Sequence, residues 1–211
     1  MAGWFVAIEG PEGAGKTTLA RALAQRVEHA GCQVTALREP GGTPVAEAAR
    51  RAALDPGLNP SPWAELFLML AARADLVDKV IRSALAAGHL VICDRYELST
   101  RAYQVAGRGL PEDEVLRCNR LATGGLSPHL TLVLDVPPSV GAARHTASGR
   151  VPDRLEREAA QWHERVARVF QEARGPSMIH LDATRPAPDV AEAAWGAVVR
   201  ALPEPFGGRS G

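Results

Sequence analysis

Lysine is nearly missing from this chain of 211 residues: Lys16 and Lys79 are the only two among 24 basic side chains, and arginine supplies the rest. Cysteine is sparse. Cys32, Cys93 and Cys118 are odd in number and widely spaced, which suggests neither a disulfide framework nor a zinc site. They read as small apolar fillers in a reducing compartment. An excess of either charge is also lacking, with 24 basic residues against 24 acidic ones. Neutrality of this kind gives no support for a nucleic-acid partner or a membrane surface. No apolar run approaches the roughly 18 residues of a membrane span. The N-terminus lacks the charged and apolar blocks of a signal peptide, so the default location is cytoplasmic. The six histidines show no ligand spacing, and no internal repeat or inter-domain linker is evident.

What is present is concentrated near the start. Residues 4–18 read WFVAIEGPEGAGKTT, an apolar β-rich run that enters Gly-x-x-x-x-Gly-Lys-Thr and continues into a helix-favouring segment. Strand, glycine loop and helix in that order form the context of a phosphate-binding P-loop. Gly10, Gly13 and Gly15, with Pro11, Glu12 and Ala14 between them, let successive backbone N–H groups converge on one concavity. The helix N-terminus adds its positive dipole end, where Thr18 also lies. Lys16 is placed to reach the β/γ-phosphates of a nucleotide, and the Thr17 hydroxyl to ligate Mg²⁺. A composition that avoids lysine has kept one where a slim, flexible ammonium is needed.

Hydrophobic residues make up 46% and charged residues 23% of the sequence, as in one soluble globular domain. Five apolar runs read as buried strands, at 4–9, 33–38, 89–94, 129–136 and 177–182. Helical patterns lie between them, at 16–30, 44–53, 62–87, 97–106, 111–123, 138–147, 154–174 and 187–201. The alternation predicts an α/β fold, a five-stranded parallel sheet with helices on both faces. Ser61 with Pro62 marks a helix start. The polar stretch 143–154 reads as a mobile loop, and residues 204–211 have the composition of a disordered tail, leaving one domain over 1–203.

Two further constellations fall at strand ends, where parallel sheets bind ligands. In HLVICDRY (89–96), Asp94 suits a metal and Arg95 suits phosphate oxygens; taken alone, the pair also fits an ion pair capping the strand. LREPGGT (37–43) places Arg38 and Glu39 beside a Pro-Gly-Gly turn that lets backbone approach a ligand. By itself that segment is equally a solvated turn.

The segments VAIEGPEGAGKTT, LREPGGT, LAARADLV, ICDRYELSTRAYQ, GRGL, DRLE and LDAT follow one another in this order, and over about residues 4–184 the chain resembles bacterial thymidylate kinases. REPGGT with DRY-x-x-S-T-x-AYQ and GRGL is far more specific than the P-loop. The resemblance implies a nucleoside-monophosphate kinase, usually a homodimer, that transfers the ATP γ-phosphate to dTMP with Mg²⁺. It implies that Lys16 and Thr17 hold the ATP phosphates and metal, the latter with Asp94. Glu12 would meet the acceptor's 3′-hydroxyl, while Arg95 and Arg38 would clamp its phosphate. Arg73 would bond the thymine edge, and Glu39, Ser99, Thr100, Tyr103 and Gln104 would wall the acceptor pocket. Arg144 would lie against the donor adenine.

Two departures from the family pattern stand out. Met69 occupies the position where the family usually stacks a phenylalanine on the base; a thioether on an aromatic face contributes about 0.3–1.5 kcal/mol. Gly13 stands where some members carry a P-loop arginine, which implies that the 143–154 loop, acting as a lid, brings Arg150 or Arg154 to the transferred phosphate. Another pyrimidine nucleoside-monophosphate kinase or a deoxynucleoside kinase on the same fold is the alternative activity.

Overall fold

A computed structural model describes residues 3–147, 149, 151–202 and 206. Five strands, β1 (Trp4–Glu9), β2 (Val34–Arg38), β3 (Leu90–Asp94), β4 (Leu130–Asp135) and β5 (Met178–Asp182), form one sheet in the order β2-β3-β1-β4-β5. Every pairing is parallel. The apolar runs lack strict alternation because both sheet faces are covered. Val6, Ile8, Leu90, Ile92, Leu132 and Leu134 face the cluster completed by Leu19, Leu23 and Val27 of α1 (Lys16–His29) and Ala194 and Val198 of α9 (Ala187–Ala201). Phe5, Ala7, Val91 and Cys93 face the other way, against Leu76, Ile81 and Tyr96.

The helix expected over 62–87 is divided: α3 (Pro62–Leu76), a π-helical turn Val77–Ile81, then α4 (Arg82–Ala86). Ser61 caps α3, its hydroxyl accepting from the Ala64 amide at 3.4 Å. The helix at 97–106 is likewise α5 (Glu97–Thr100) followed by the π-helical segment Arg101–Gly107. Helices α2 (Pro44–Leu54), α6 (Glu112–Thr123) and α7 (Pro138–Ala147) lie close to expectation.

One helix boundary is corrected. The helix expected from 154 begins only at Ala160, as α8 (Ala160–Glu172). The Asp153 carboxylate accepts the amides of Leu155 and Glu156, each at 3.0 Å, and the Arg154 amide is bonded to Leu54 O at 3.2 Å. Side-chain capping and a tertiary backbone bond hold these residues in turns despite a helical sequence pattern. Most of the expected tail lies outside the described residues; Phe206, which is described, packs its ring edge-on against Trp195.

Strand register sets the site. Arg38 pairs with Asp94, and Asp94 with Ile8, so β1, β2 and β3 end in one row at their carboxyl rim, where the P-loop begins.

Candidate active site

A cavity of about 600 Å³ opens at that rim, lined by the P-loop and by residues from β2, β3, α3, α5 and α7. Gly15 adopts φ 92° as the N-cap of α1 and supplies no side-chain cap. Lys16, Thr17 and Thr18, the first turn of α1, therefore line the cavity with helix-dipole polarity favouring an anion.

Gly13 is required by geometry. Its φ is +69°, and a Cβ there would lie 2.1 Å from the carbonyl oxygen of Gly141 in α7. A Cβ on Gly141 would in turn meet Glu12 O at 2.4 Å. The P-loop and α7 thus pack glycine against glycine, which leaves no room for an arginine at position 13.

Lys16 is buried, and its Nζ donates to Gly10 O at 3.0 Å and Pro11 O at 2.7 Å. Burial, reinforced by the nearby Arg95 charge, lowers its pKa to about 8. Nucleotide phosphates would supply the countercharge that carbonyl dipoles only partly provide. The Thr17 hydroxyl donates to the Asp94 carboxylate at 2.5 Å. A hydroxyl and a carboxylate converging from two elements form a hard-oxygen donor set that suits Mg²⁺, which keeps waters and phosphates as its remaining ligands.

Arg95 follows β3 with φ 76°, the one non-glycine residue with positive φ among those described. Its amide is held by Ile8 O at 2.9 Å. That conformation, costing on the order of 1–3 kcal/mol, persists where surroundings enforce it. It turns the guanidinium into the cavity, where Nη2 donates to Glu12 at 2.5 Å and Nη1 to Ser99 Oγ at 3.1 Å and Gly10 O at 3.3 Å. Its plane lies 5.0 Å over the Tyr103 ring. Burial works against the charge, but Glu12, Tyr103 and Asp94 hold Arg95 above the ordinary arginine value. The Tyr103 hydroxyl donates to the same Glu12 oxygen at 2.8 Å. Glu12 therefore supplies the carboxylate on which the Arg95 and Tyr103 donors converge.

Glu9, which sequence reasoning missed, explains how this wall is held. Fully buried at the end of β1, it accepts the amides of Tyr96 and Ser99 and the Ser99 hydroxyl, at 2.8, 3.1 and 2.6 Å. It caps α5 from the neighbouring strand, and Ser99 passes that order on to Arg95. An acid ending an apolar strand directly before the P-loop was the available signal.

Arg73 and Glu39 form a buried pair at 2.6 Å. Burial raises the Glu39 pKa despite the guanidinium beside it, and Arg73, penalised by burial, is raised by Glu39. All five Arg73 donors have protein partners: Glu39 on Nε and Nη2, Tyr96 O on Nη2, and Thr100 and Asn119 on Nη1. Any contact from Arg73 to a base edge would be a shared one. Met69, Thr100, Tyr103 and Gln104 line the same side of the cavity. Arg38 sits half-exposed on its edge, 3.3 Å from Glu47. Arg144 reaches the cavity from α7 and donates to Ala183 O at 2.9 Å. The lining also includes Arg50, which donates to Pro40 O at 3.0 Å and which its position in an amphipathic helix had not distinguished.

Arg154, one of the two arginines offered for the transferred phosphate, donates here to Ala53 O and to the fully buried Glu65, at 2.9 and 2.5 Å from Nη2. A buried carboxylate is a stronger attractor for a guanidinium than solvent at a loop. Arg150 lies outside the described residues.

Comparison with known proteins bears on this site directly. The thymidylate kinase family model matches residues 8–194. The chain is 44% identical over 199 residues to the thymidylate kinase of Deinococcus radiodurans, covering 93% of this chain and 96% of that protein. It is 46% identical over 202 residues to that of Thermomicrobium roseum, at 94% and 96% coverage, and 45% identical over 208 residues to one from Synechococcus sp. (strain JA-2-3B'a(2-13)), at 97% and 98%.

Proposed function

The chain belongs to the thymidylate kinase family, and from that premise we propose how its residues carry out the phosphorylation of dTMP by ATP. It is an enzyme, a dTMP kinase. The observation that carries the roles of its residues is the opposition, across one cavity, of the Lys16–Thr17–Asp94 group and the Arg95–Glu12–Tyr103 group.

ATP lies along the P-loop, with its phosphates taking the Lys16 ammonium from Gly10 O and Pro11 O and Arg144 facing the adenine side. Thr17 and Asp94 would hold Mg²⁺ beside the nucleotide phosphates, and the ion would supply charge neutralisation there. The dTMP phosphate displaces Glu12 from Arg95, with Arg38 at the rim. Glu12, released, accepts from the sugar 3′-hydroxyl, with the Tyr103 ring beneath the deoxyribose. Base and Met69 meet on the far wall beside Arg73, Thr100 and Gln104. A phosphate oxygen of dTMP attacks the γ-phosphorus in line as ADP leaves. That nucleophile is already ionised and needs little general-base help, so catalysis is mainly positioning and charge neutralisation by Lys16 and Arg95.

The same proposal takes residues 1–203 as one kinase domain, with the 143–154 segment closing over the donor, and places the protein in the cytoplasm. No helix among the described residues is long and apolar enough to cross a membrane. It also includes a two-fold dimer. The support is apolar surface on neighbouring helices: exposed Phe67 of α3, stacked on Trp63, and exposed Leu121 of α6.

The test is ADP release with Mg-ATP against dTMP, dUMP, dCMP, dGMP, UMP and thymidine. Turnover should require a pyrimidine deoxynucleoside monophosphate and be highest with dTMP. Equal turnover of thymidine, or ADP release independent of acceptor, would overturn the assignment.

A further inference from the structure

We propose that Glu65, a buried residue outside the catalytic groups, sets the polarity of the base-reading wall so that the pocket accepts an imide base and rejects an amino-substituted one. The proposal rests on the placement of the acceptor base beside Arg73 and Gln104.

Two charged groups, Glu65 and Arg73, stand about two turns apart on α3. Glu65 is fully buried, and its carboxylate accepts from Gln104 Nε2 at 2.9 Å, Arg108 Nε at 3.0 Å and Arg154 Nη2 at 2.5 Å. An ionised carboxylate accepts and never donates. Gln104 must therefore turn its NH₂ toward Glu65, and its carbonyl Oε1 is what remains for the cavity it lines. Thr100 is held differently: Arg73 Nη1 donates to its Oγ1 at 2.7 Å. A guanidinium donates and never accepts, so the Thr100 oxygen accepts once there and keeps its proton and a second lone pair for the cavity. Thr100 and Gln104 stand four residues apart and both line the cavity.

The wall thus presents a fixed acceptor, Gln104 Oε1, beside an adaptable hydroxyl. Thymine and uracil carry a ring N–H that can donate to Gln104 Oε1, with the neighbouring carbonyl meeting the Thr100 hydroxyl. Cytosine carries an unprotonated ring nitrogen there, which would set acceptor against acceptor at Gln104, while its amino group could still be met by Thr100. Sites that bury a mismatched hydrogen-bonding group discriminate far more sharply than sites that sense only shape. The ring methyl is not read by this pair. Glu65 touches no substrate atom in this arrangement; it is a positioning residue that acts through Gln104.

The experiment measures kcat/KM for dTMP, dUMP and dCMP in the parent chain, in Glu65→Gln and in Gln104→Met. In E65Q the partner of Gln104 can accept or donate, so the amide is free to reverse. The dTMP/dCMP ratio should fall about tenfold or more, with a gain in dCMP turnover, while the dTMP/dUMP ratio stays within about twofold. Equal losses with all three acceptors would mean that Glu65 is only structural and would overturn the proposal. Since E65Q also weakens the Arg108 and Arg154 pairs and could fail to fold, Q104M, which leaves those pairs in place, provides an independent test. Discrimination should collapse in Q104M, and discrimination equal to the parent's would overturn the proposal. A parent chain that turned over dCMP as well as dTMP would instead overturn the base placement itself.

Discussion

On the role proposed for Lys16, ATP binding should depend on pH in a range where most P-loop contacts would not. Its pKa in the free protein is about 8, against an ordinary value of 10.5, chiefly through burial and secondly through the Arg95 charge. Phosphates of a bound nucleotide favour the ammonium and raise that pKa, so binding takes up a proton once the pH exceeds 8. Affinity should be complete below pH 8 and fall as pH rises through it, approaching a tenfold loss per pH unit. At pH 9 only about one free molecule in eleven carries the charge, so the Kd should be about tenfold weaker than at pH 7, or roughly 1.4 kcal/mol. Calorimetric titration with a non-hydrolysable ATP analogue and Mg²⁺, from pH 6.5 to 9.5, reads this directly. Lys16→Arg keeps a charge that does not titrate here, and its slope above pH 8 should vanish even if its affinity is lower. Arg95→Met removes one depressing charge and should move the break upward. A flat profile in the parent, or the same fall in K16R, would refute the role given to Lys16 burial.

Other consequences attach to particular contacts. Gly13→Ala forces a Cβ against the Gly141 carbonyl at a positive φ; unfolding should show a loss of about 1–3 kcal/mol together with weakened nucleotide binding, and unchanged values would mean that the P-loop and α7 do not pack as described. Arg95→Lys loses a forked donor set, so kcat/KM for dTMP should drop about 10²–10³-fold with ATP affinity changed far less; an equal loss in both would place Arg95 on the donor instead. Arg154→Gln leaves one donor fewer on buried Glu65 and should cost about 1–3 kcal/mol of stability in denaturant titration. A large fall in kcat at full stability would return Arg154 to the transferred phosphate. Phe67→Ser should shift sedimentation from twice the chain mass toward the monomer, and a parent chain that is already monomeric would contradict the proposed dimer.

Legibility in the sequence tracks how local the physics is. The P-loop could be read because glycine spacing, Lys16 and Thr17 act through backbone geometry within a few residues. The sheet could be read because strands covered on both faces are apolar throughout, and Asp94–Arg95 because it ends such a strand. Glu65 could not. An acid at the head of ELFLML looks like a first-turn residue favoured by the helix dipole, and its three partners lie 39, 43 and 89 residues away. The pairing of Arg154 with Glu65 was hidden for the same reason, since nothing near it in the chain announces a buried carboxylate. The late start of α8 depended on a tertiary bond to Leu54 O, which helical periodicity cannot reveal. Glu9 lay between these cases, adjacent to a recognised motif but acting through residues about 90 positions on.

The most direct test of the central claim is to follow the label from γ-³²P-ATP in a reaction with dTMP and Mg²⁺, resolving products by ion-exchange chromatography. Label appearing in dTDP, in step with ADP and absent without dTMP, is the predicted result. Label released only as inorganic phosphate, or ADP formed at the same rate without dTMP, would contradict the account.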